Sequence, residues 1–308
     1  MRLGRVMDWG VYLVVRIFIC LVQAMRMETA QGIAQFLAWL AHRVFRIRRR
    51  VVEENLRCAF PHLGAAERER LARRMWEHLF LLVVEVAHAP RKIHQTNWRD
   101  YIQLGNKDVL VRLLLSDRPV IIVTGHFGNF ELAGVMLGLL GFPTYTVARA
   151  LDNPYLDRFV NRFRGLSGQF IIPKKGGYDQ IVEVMAHGGA MTFLADQHAG
   201  DKGCWVEFFG RPASAHKAIA LLAMTYNAPM VVGYCRRLDR PLRFEMRVHA
   251  TADPQQTPPE TASVKALTQW YTTRLEEIIR SWPEQYWWLH RRWRTPPARQ
   301  TKLDKKAA

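Results

Sequence analysis

The sequence predicts an α/β fold, a mixed, mainly parallel sheet flanked by helices, with an N-terminal helix that associates with a membrane. Three observations predict it. From residue 119 onward, short apolar runs alternate with helical stretches, the pattern of βαβ units. One such run ends directly in a histidine framed by glycines, as a strand-to-helix turn would. The first fifty residues are strongly apolar and then strongly basic.

Residues 9–25 are almost wholly apolar, contain Arg16, and fall short of the ~20 residues of a simple spanning helix. They span if tilted, with Arg16 and Arg26 snorkelling, or lie in the interface, or form a helix buried in the protein's own core. Residues 33–40 repeat at helical spacing and lead into a basic segment, 42–50, suited to an anionic lipid surface. Arg2 and Arg5 are basic on the other side, so the charge asymmetry orients the segment only weakly. No small-residue cleavage site follows the apolar run, and a cleaved signal peptide is not expected. The chain thus divides into an anchor and basic juxtamembrane segment at 1–50, a catalytic domain at 51–294, and a basic flexible tail at 295–308.

Within the domain, residues 67–88 read as an amphipathic helix through Leu71, Met75, Leu79, Leu82 and Val86, with Glu85 solvated or paired. Strands are expected at 120–124, 144–148, 170–172, 191–195 and 230–234. Ligands gather at the carboxyl ends of strands in such sheets, which singles out His126, Arg149 and Asp196.

The run Pro119-Val-Ile-Ile-Val-Thr-Gly-His-Phe-Gly-Asn-Phe-Glu131 carries the chemistry. Residues five apart do not share a helix face, so His126 precedes the helix and Asn129 caps it. Glu131 then falls in the first turn, where an anion is favoured, and reaches back to His126. A carboxylate that accepts one imidazole N–H leaves the other nitrogen to take a proton from a hydroxyl. Gly125, Phe127, Gly128 and Asn129 form the surrounding loop, and the backbone N–H groups of Phe127 to Asn129 are candidate oxyanion donors, as are Arg149, Arg158 and Arg164. The arginines that follow Arg149 read singly as surface ion pairs and together as an anion clamp. Asp196 is either a second active-site carboxylate or a turn cap, and the residues leave both open.

The net charge of +17 calls for anionic partners, and the ten tryptophans suit a membrane interface or stacking on bases. Cys20, Cys58, Cys204 and Cys235 show neither CxxC nor Cys/His ligand spacing, and no HExxH, Walker loop or GxGxxG is present. No metal and no nucleotide cofactor are expected. Arg291, Arg292 and Arg294 beside Trp288 and Trp293 read as a membrane-surface helix, or as the patch of a nucleic-acid-binding module.

An ordered set of motifs resembles the lipid A lauroyl/myristoyl acyltransferase family of the lysophospholipid acyltransferase superfamily. The set comprises Asn55-Leu-Arg-Cys-Ala-Phe-Pro61, the His126/Glu131 pair, Asn153-Pro-Tyr-Leu-Asp157 with Arg164, Asp196-Gln197, Phe208-Phe-Gly210 and Pro283-Glu-Gln-Tyr-Trp-Trp288. The resemblance covers nearly the whole chain, departs from many relatives at Lys217, and has Glu131 where the wider superfamily has Asp. It implies a glycerolipid-acyltransferase-like fold and transfer of an acyl chain from acyl carrier protein, or coenzyme A, to a hydroxyl of a phosphorylated glycolipid. The acceptor implied is a lipid A precursor, with a phosphatidylinositol mannoside or aminolipid as alternatives, at the cytoplasmic face of the bacterial inner membrane. By the same resemblance His126 deprotonates the acceptor and Glu131 orients it; Asn153, Arg164, Asp196 and Gln197 of the matched motifs, with Arg149 and Arg158 of the arginine cluster, are expected to bind substrate. No nucleic acid is then expected as a partner.

Overall fold

The computed structural model describes residues 2–165, 167–256, 258 and 261–294; the expected basic tail lies outside them. Seven strands form one sheet in the order β1 (Ile102–Gly105), β9 (Phe244–Ala252), β8 (Met230–Arg237), β2 (Val120–Thr124), β5 (Ala190–Leu194), β3 (Thr144–Ala148), β4 (Gln169–Pro173). The five strands from β8 to β4 run parallel, β9 runs antiparallel to β8, and β1 follows β9. The sheet is mixed and mainly parallel, as expected. A separate hairpin, β6 (Cys204–Phe208) and β7 (Arg211–Ala215), stands apart from it.

Every residue of β2 is buried, as an unbroken apolar run in a parallel sheet requires. Ile121 and Val123 pack with Met230, Val232 and Met191 against α9 (Lys217–Thr225) and α10 (Val264–Ser281). Val120 and Ile122 point the opposite way with Val231 and Val248, toward α5 (Lys107–Leu114) and α6 (Phe130–Leu139). That alternation makes three layers and puts the second face of β2 beneath α6.

The N-terminal helices lie outside this core. Helix α1 (Arg2–Ala24) contains a stretch, Gly4–Ala24, long and apolar enough to cross a membrane, and Val22 alone is buried among its described side chains. Burial in the protein's own core, one of three expectations, is thereby removed. Arg16 does not stand free: its guanidinium lies 4.6 Å from the centre of the Phe159 ring. Helix α2 (Met27–Trp39) packs through Ala30, Ala34 and Ala38 on α4 (Ala65–Lys92), the small side chains allowing close approach. Its large residues Phe36 and Trp39 face outward, stacked on each other. After α3 (Arg49–Ala59) and α4, the helices α7 (Pro154–Gly165) and α8 (Tyr178–Ala186) complete the chain between β3 and β5.

The C-terminal run departs from the expected surface helix. Residues 286–294 are not helical; Trp288 and Arg292 are buried, the latter donating to Ser214 O at 2.7 Å with its guanidinium over Phe208. Asn55 holds this strap by donating to the carbonyls of Trp288 (2.7 Å) and His290 (2.5 Å), which explains the Asn55 motif as a structural one. An arginine that caps an aromatic cluster from inside belongs to no exposed patch, which leaves Arg291 and Arg294 as the exposed cations of the run.

Candidate active site

Strands β2 and β5 pair in parallel with Thr124 opposite Leu194. Two residues further along that register, His126 stands opposite Asp196, and the two meet. His126 Nδ1 lies 2.8 Å from Asp196 Oδ1, and the His126 amide donates to Oδ2 at 3.0 Å. Asp196 is only 2% exposed, a depth at which a carboxylate needs donors on both oxygens. His126 supplies both. Gly125 leaves the room for this: a Cβ there would stand 3.3 Å from the carboxyl carbon of Asp196.

The turn that carries His126 is clamped from four directions. Trp287 N donates to His126 O (3.0 Å), Gly128 N to Gln285 O (2.9 Å), Asn129 N to Cys235 O (2.7 Å), and His78 Nε2 to Gly128 O (3.1 Å). Gly128 has φ +58°, and a Cβ would come within 2.0 Å of Cys235 O, so only glycine fits. Asn129 is the expected N-cap of α6, its side chain accepting from Leu132 N at 3.2 Å.

With Nδ1–H given to Asp196, Nε2 of the neutral ring is the accepting nitrogen. It lies 3.3 Å from Gln197 Nε2, which is also 3.3 Å from His290 Nε2. One amide thus supplies a hydrogen to each ring. Phe130, His290 and Trp287 enclose His126, their ring centres 5.0, 5.0 and 5.4 Å away.

Electrostatics separates the two histidines. Burial disfavours the His126 imidazolium, but the charge and hydrogen bond of Asp196, with the Glu131 charge behind them, outweigh it and hold His126 above its ordinary pKa. Burial also disfavours ionised Asp196, and His126 overcomes this, keeping the carboxyl below its usual range. In His290, burial and then the charges of His126, Arg48 and Arg292 prevail over Asp196 and bring the pKa down to about 4.

Glu131 stands in the first turn of α6 as expected, but its partner is Arg164 of α7, at 2.6 and 3.0 Å in a two-pronged ion pair. The orienting hydrogen bond on Nδ1, assigned by spacing to Glu131, belongs to Asp196. Helix geometry sends Glu131 toward α7, where a guanidinium matches both its oxygens. Glu131 remains near enough for its charge to favour the imidazolium.

The other expected substrate residues divide. Gln197 is in the site. Arg149 is exposed and paired with Asp152 (2.8 Å), and Arg158 lies over Tyr155 with Nε on Pro154 O at 3.3 Å. Asn153 is a structural residue: its oxygen caps α7 at Tyr155 N and Leu156 N, and its amide donates to Asp8 O of α1 at 2.8 Å. Of the candidate oxyanion amides, Gly128 and Asn129 are spent on Gln285 and Cys235, while Phe127 N–H has no partner among the described residues.

Two cavities reach this point. One, apolar, lies between the sheet and the α5/α6 layer; Ile122, Leu137, Val231 and Met246 line it, as do Thr124 and Phe130, whose ring centre is 5.0 Å from that of His126. A groove between α1, α4 and α7 ends at Phe130, Glu131 and Trp287. The ligand atoms of His126, Asp196 and His290 lie within 4.8 Å of one another, close enough to hold a metal ion. Each Asp196 oxygen accepts one hydrogen bond from His126, whose Nδ1 is thereby engaged as a donor. Sequence reasoning missed His290 and Trp287 as site residues, because no spacing rule connects the end of the chain to β2.

A carboxylate-held histidine at the carboxyl ends of a mainly parallel sheet is the arrangement of a general-base enzyme. The chain matches the family described as bacterial lipid A biosynthesis acyltransferases over residues 2–295; it belongs to that family and is an O-acyltransferase. It is similar to the lipid A biosynthesis palmitoleoyltransferase of Escherichia coli (strain K12), with 27% identity over 264 residues, 83% of this chain and 82% of that protein. The lauroyltransferase of the same organism is 25% identical over 268 residues, 85% and 84% of the two chains. A phosphatidylinositol mannoside acyltransferase of Mycolicibacterium smegmatis is 26% identical over 195 residues, 60% of each chain. The solved structure of the 1-acyl-sn-glycerophosphate acyltransferase PlsC from Thermotoga maritima overlaps 88% of this chain and 100% of its own at 12% identity, with a TM-score of 0.41.

Proposed function

We propose that the enzyme transfers a fatty acyl chain from an acyl carrier protein or coenzyme A thioester to a hydroxyl of a phosphorylated lipid A precursor, at the cytoplasmic face of the inner membrane. The observation that carries this reading is the His126 ring, fixed at Nδ1 by Asp196, with Nε2 as its accepting nitrogen and with Phe130, which lines the apolar cavity, packed against it. In this reading the acyl chain lies in that cavity and the thioester carbonyl rests near Nε2. The acceptor hydroxyl attacks the carbonyl carbon as His126 takes its proton, forming a C–O bond and an oxyanion. The Phe127 amide, without a partner among the described residues, is the donor for that oxyanion in this reading. Collapse breaks the C–S bond, and the imidazolium returns its proton to the departing thiolate. Neither step needs an acyl-enzyme. Asp196 stabilises the imidazolium between the steps, aided by the Glu131 charge.

Acidic acyl carrier protein and an anionic lipid surface both suit a chain of charge +17. The mannoside acyltransferase relative keeps a second acceptor, a phosphatidylinositol mannoside, in view. The test is acyl transfer in mixed micelles from acyl carrier protein to an underacylated, phosphorylated lipid A precursor, with products read by mass spectrometry. Product from the wild type and none from His126→Ala is expected. Near-normal turnover by His126→Ala would overturn the mechanism, and acylation of the mannoside alone would overturn the acceptor.

A further inference from the structure

A further cleft adjoins the site, and its character is opposite to that of the apolar cavity: basic and polar side chains line it. Three distant segments build it: Arg48 at the start of α3, Gln197 and His198 after β5, and His290, Arg291 and Arg294 of the C-terminal strap. Arg48 Nη1 donates to Leu289 O at 2.7 Å, which ties the first segment to the third.

Positive charge in this cleft has no partner carboxylate among its lining residues. Arg164, Arg236, Arg237 and Arg118 each face a carboxylate at 2.6 Å. Among the described residues, neither Arg48, Arg291 nor Arg294 forms an ion pair. Their field is felt by the histidines of the wall. After burial, Arg294 and Arg292 depress His198, and His126, Arg48 and Arg292 depress His290. The nearest acids do not neutralise the cleft: Asp196 is committed to His126, and the charge of Asp201 on His198 is outweighed. Like charges held around one concavity repel unless an anion enters it. The cleft also adjoins the chemistry, since Gln197 touches both His126 and His290 at 3.3 Å.

We propose that this cleft is a phosphate-binding subsite, in which Arg291 and Arg294, with Arg48 behind them, hold a phosphate ester of a substrate beside the catalytic base. The inference rests on the acyl-transfer reading for the identity of the two substrates that bring phosphate. One is the phosphorylated glycolipid acceptor, whose sugar phosphate would hold the acceptor hydroxyl in line with Nε2. The other is the donor, through the phosphopantetheine that carries its thioester. Guanidinium is well matched to either, because it donates two parallel hydrogen bonds to phosphate oxygens.

The test uses the full chain in detergent and measures binding by calorimetry, so that it does not depend on turnover. Two probe pairs separate the sources: the disaccharide glycolipid with and without its phosphate, and pantetheine with and without its 4′-phosphate. For one pair, the phosphate should strengthen binding to the wild type ~10–100-fold, as one or two charge-assisted contacts would. Arg291→Ala/Arg294→Ala should abolish that difference and leave the phosphate-free partner's affinity unchanged. Both side chains are exposed, so the fold should tolerate the change, and Arg291→Lys/Arg294→Lys should restore part of the difference. A phosphate effect below about threefold in both pairs, or one that persists in the double alanine variant, would overturn the proposal. If the wild type binds in this phosphate-dependent way yet transfers no acyl group, the functional reading falls and the subsite stands.

Discussion

At the scale of single residues, Asp196 decides how His126 works. It accepts hydrogen bonds at both oxygens, from the ring and from the backbone of the same residue. Asparagine accepts at only one, so Asp196→Asn must either turn its NH₂ onto the His126 amide or impose the wrong tautomer on the ring. We expect kcat/KM to fall ~10²–10⁴-fold. The pH profile gives an independent readout. A general base acts when neutral, and Asp196 raises the pKa of His126, so the wild-type rate should rise with pH through a value above the ordinary ~6.5 of histidine. Removing the carboxylate charge removes the largest influence favouring the imidazolium, and the acid limb should move to lower pH. A limb that stays in place in Asp196→Asn would show that another group governs it. The base was legible in the sequence because a polar residue interrupts an apolar strand at a glycine. Asp196 was legible as a candidate carboxylate at a strand end, but its pairing with His126 was not, since it lies seventy positions away and only the β2–β5 register brings it near.

At the scale of elements, the catalytic turn rests on a buried polar bridge between α4 and β8. Arg237 donates to both oxygens of Glu85 at 2.6 and 2.7 Å, while Asn129 Nδ2 and Leu242 N also donate to that carboxylate, each at 3.1 Å. Arg237 also reaches His78 Nδ1 at 2.7 Å, and His78 in turn holds Gly128 O. Burial first, and then the Arg237 charge, keep His78 far below its ordinary pKa, so it stays neutral and directional. Glu85 is 0% exposed, and Glu85→Gln would leave the guanidinium buried without its counter-charge, at a cost of ~3–5 kcal/mol. Thermal unfolding should fall by about 5–15 °C, and an unchanged midpoint would mean that the bridge is not stabilising the turn. The pairing of Glu85 was one of two readings open from sequence; its service to the active site was not visible, because Arg237 lies far along the chain. Helix α4 itself was legible from its apolar spacing, extending only a few residues beyond the expected 67–88. The five apolar parallel strands were legible too. Strand β9 was not, since Glu245, Arg247 and His249 break its apolar run, and β1 is only four residues long.

At the scale of the whole molecule, the N-terminal helix α1 lies beside the approach to the site. The groove that ends at Glu131 and Trp287 is walled by Phe18, Ile19 and Val22 of α1, so the helix taken to be the anchor also borders the approach to the base. An apolar segment at 1–50 was legible from composition alone. That it would pack on α7, through Arg16 over Phe159 and Asn153 on Asp8, was hidden, and Asn153 read as a substrate residue for that reason. The outer face of α1 carries Val14 and Leu21, 66% and 54% exposed, which in water would be an unfavourable display of large aliphatic side chains. If that face sits in lipid, Val14→Asp/Leu21→Asp should be costly there, at ~2.5–3.5 kcal/mol for each charge placed centrally in a helix. Neither side chain is part of the core, so the unfolding temperature in detergent should not change. Flotation with vesicles of mixed anionic and neutral phospholipid separates the possibilities: the bound fraction should drop steeply for the double variant at physiological salt. Undiminished flotation would remove α1 as the anchor and leave attachment to the basic segment after α2, whose contribution would then weaken as salt is raised.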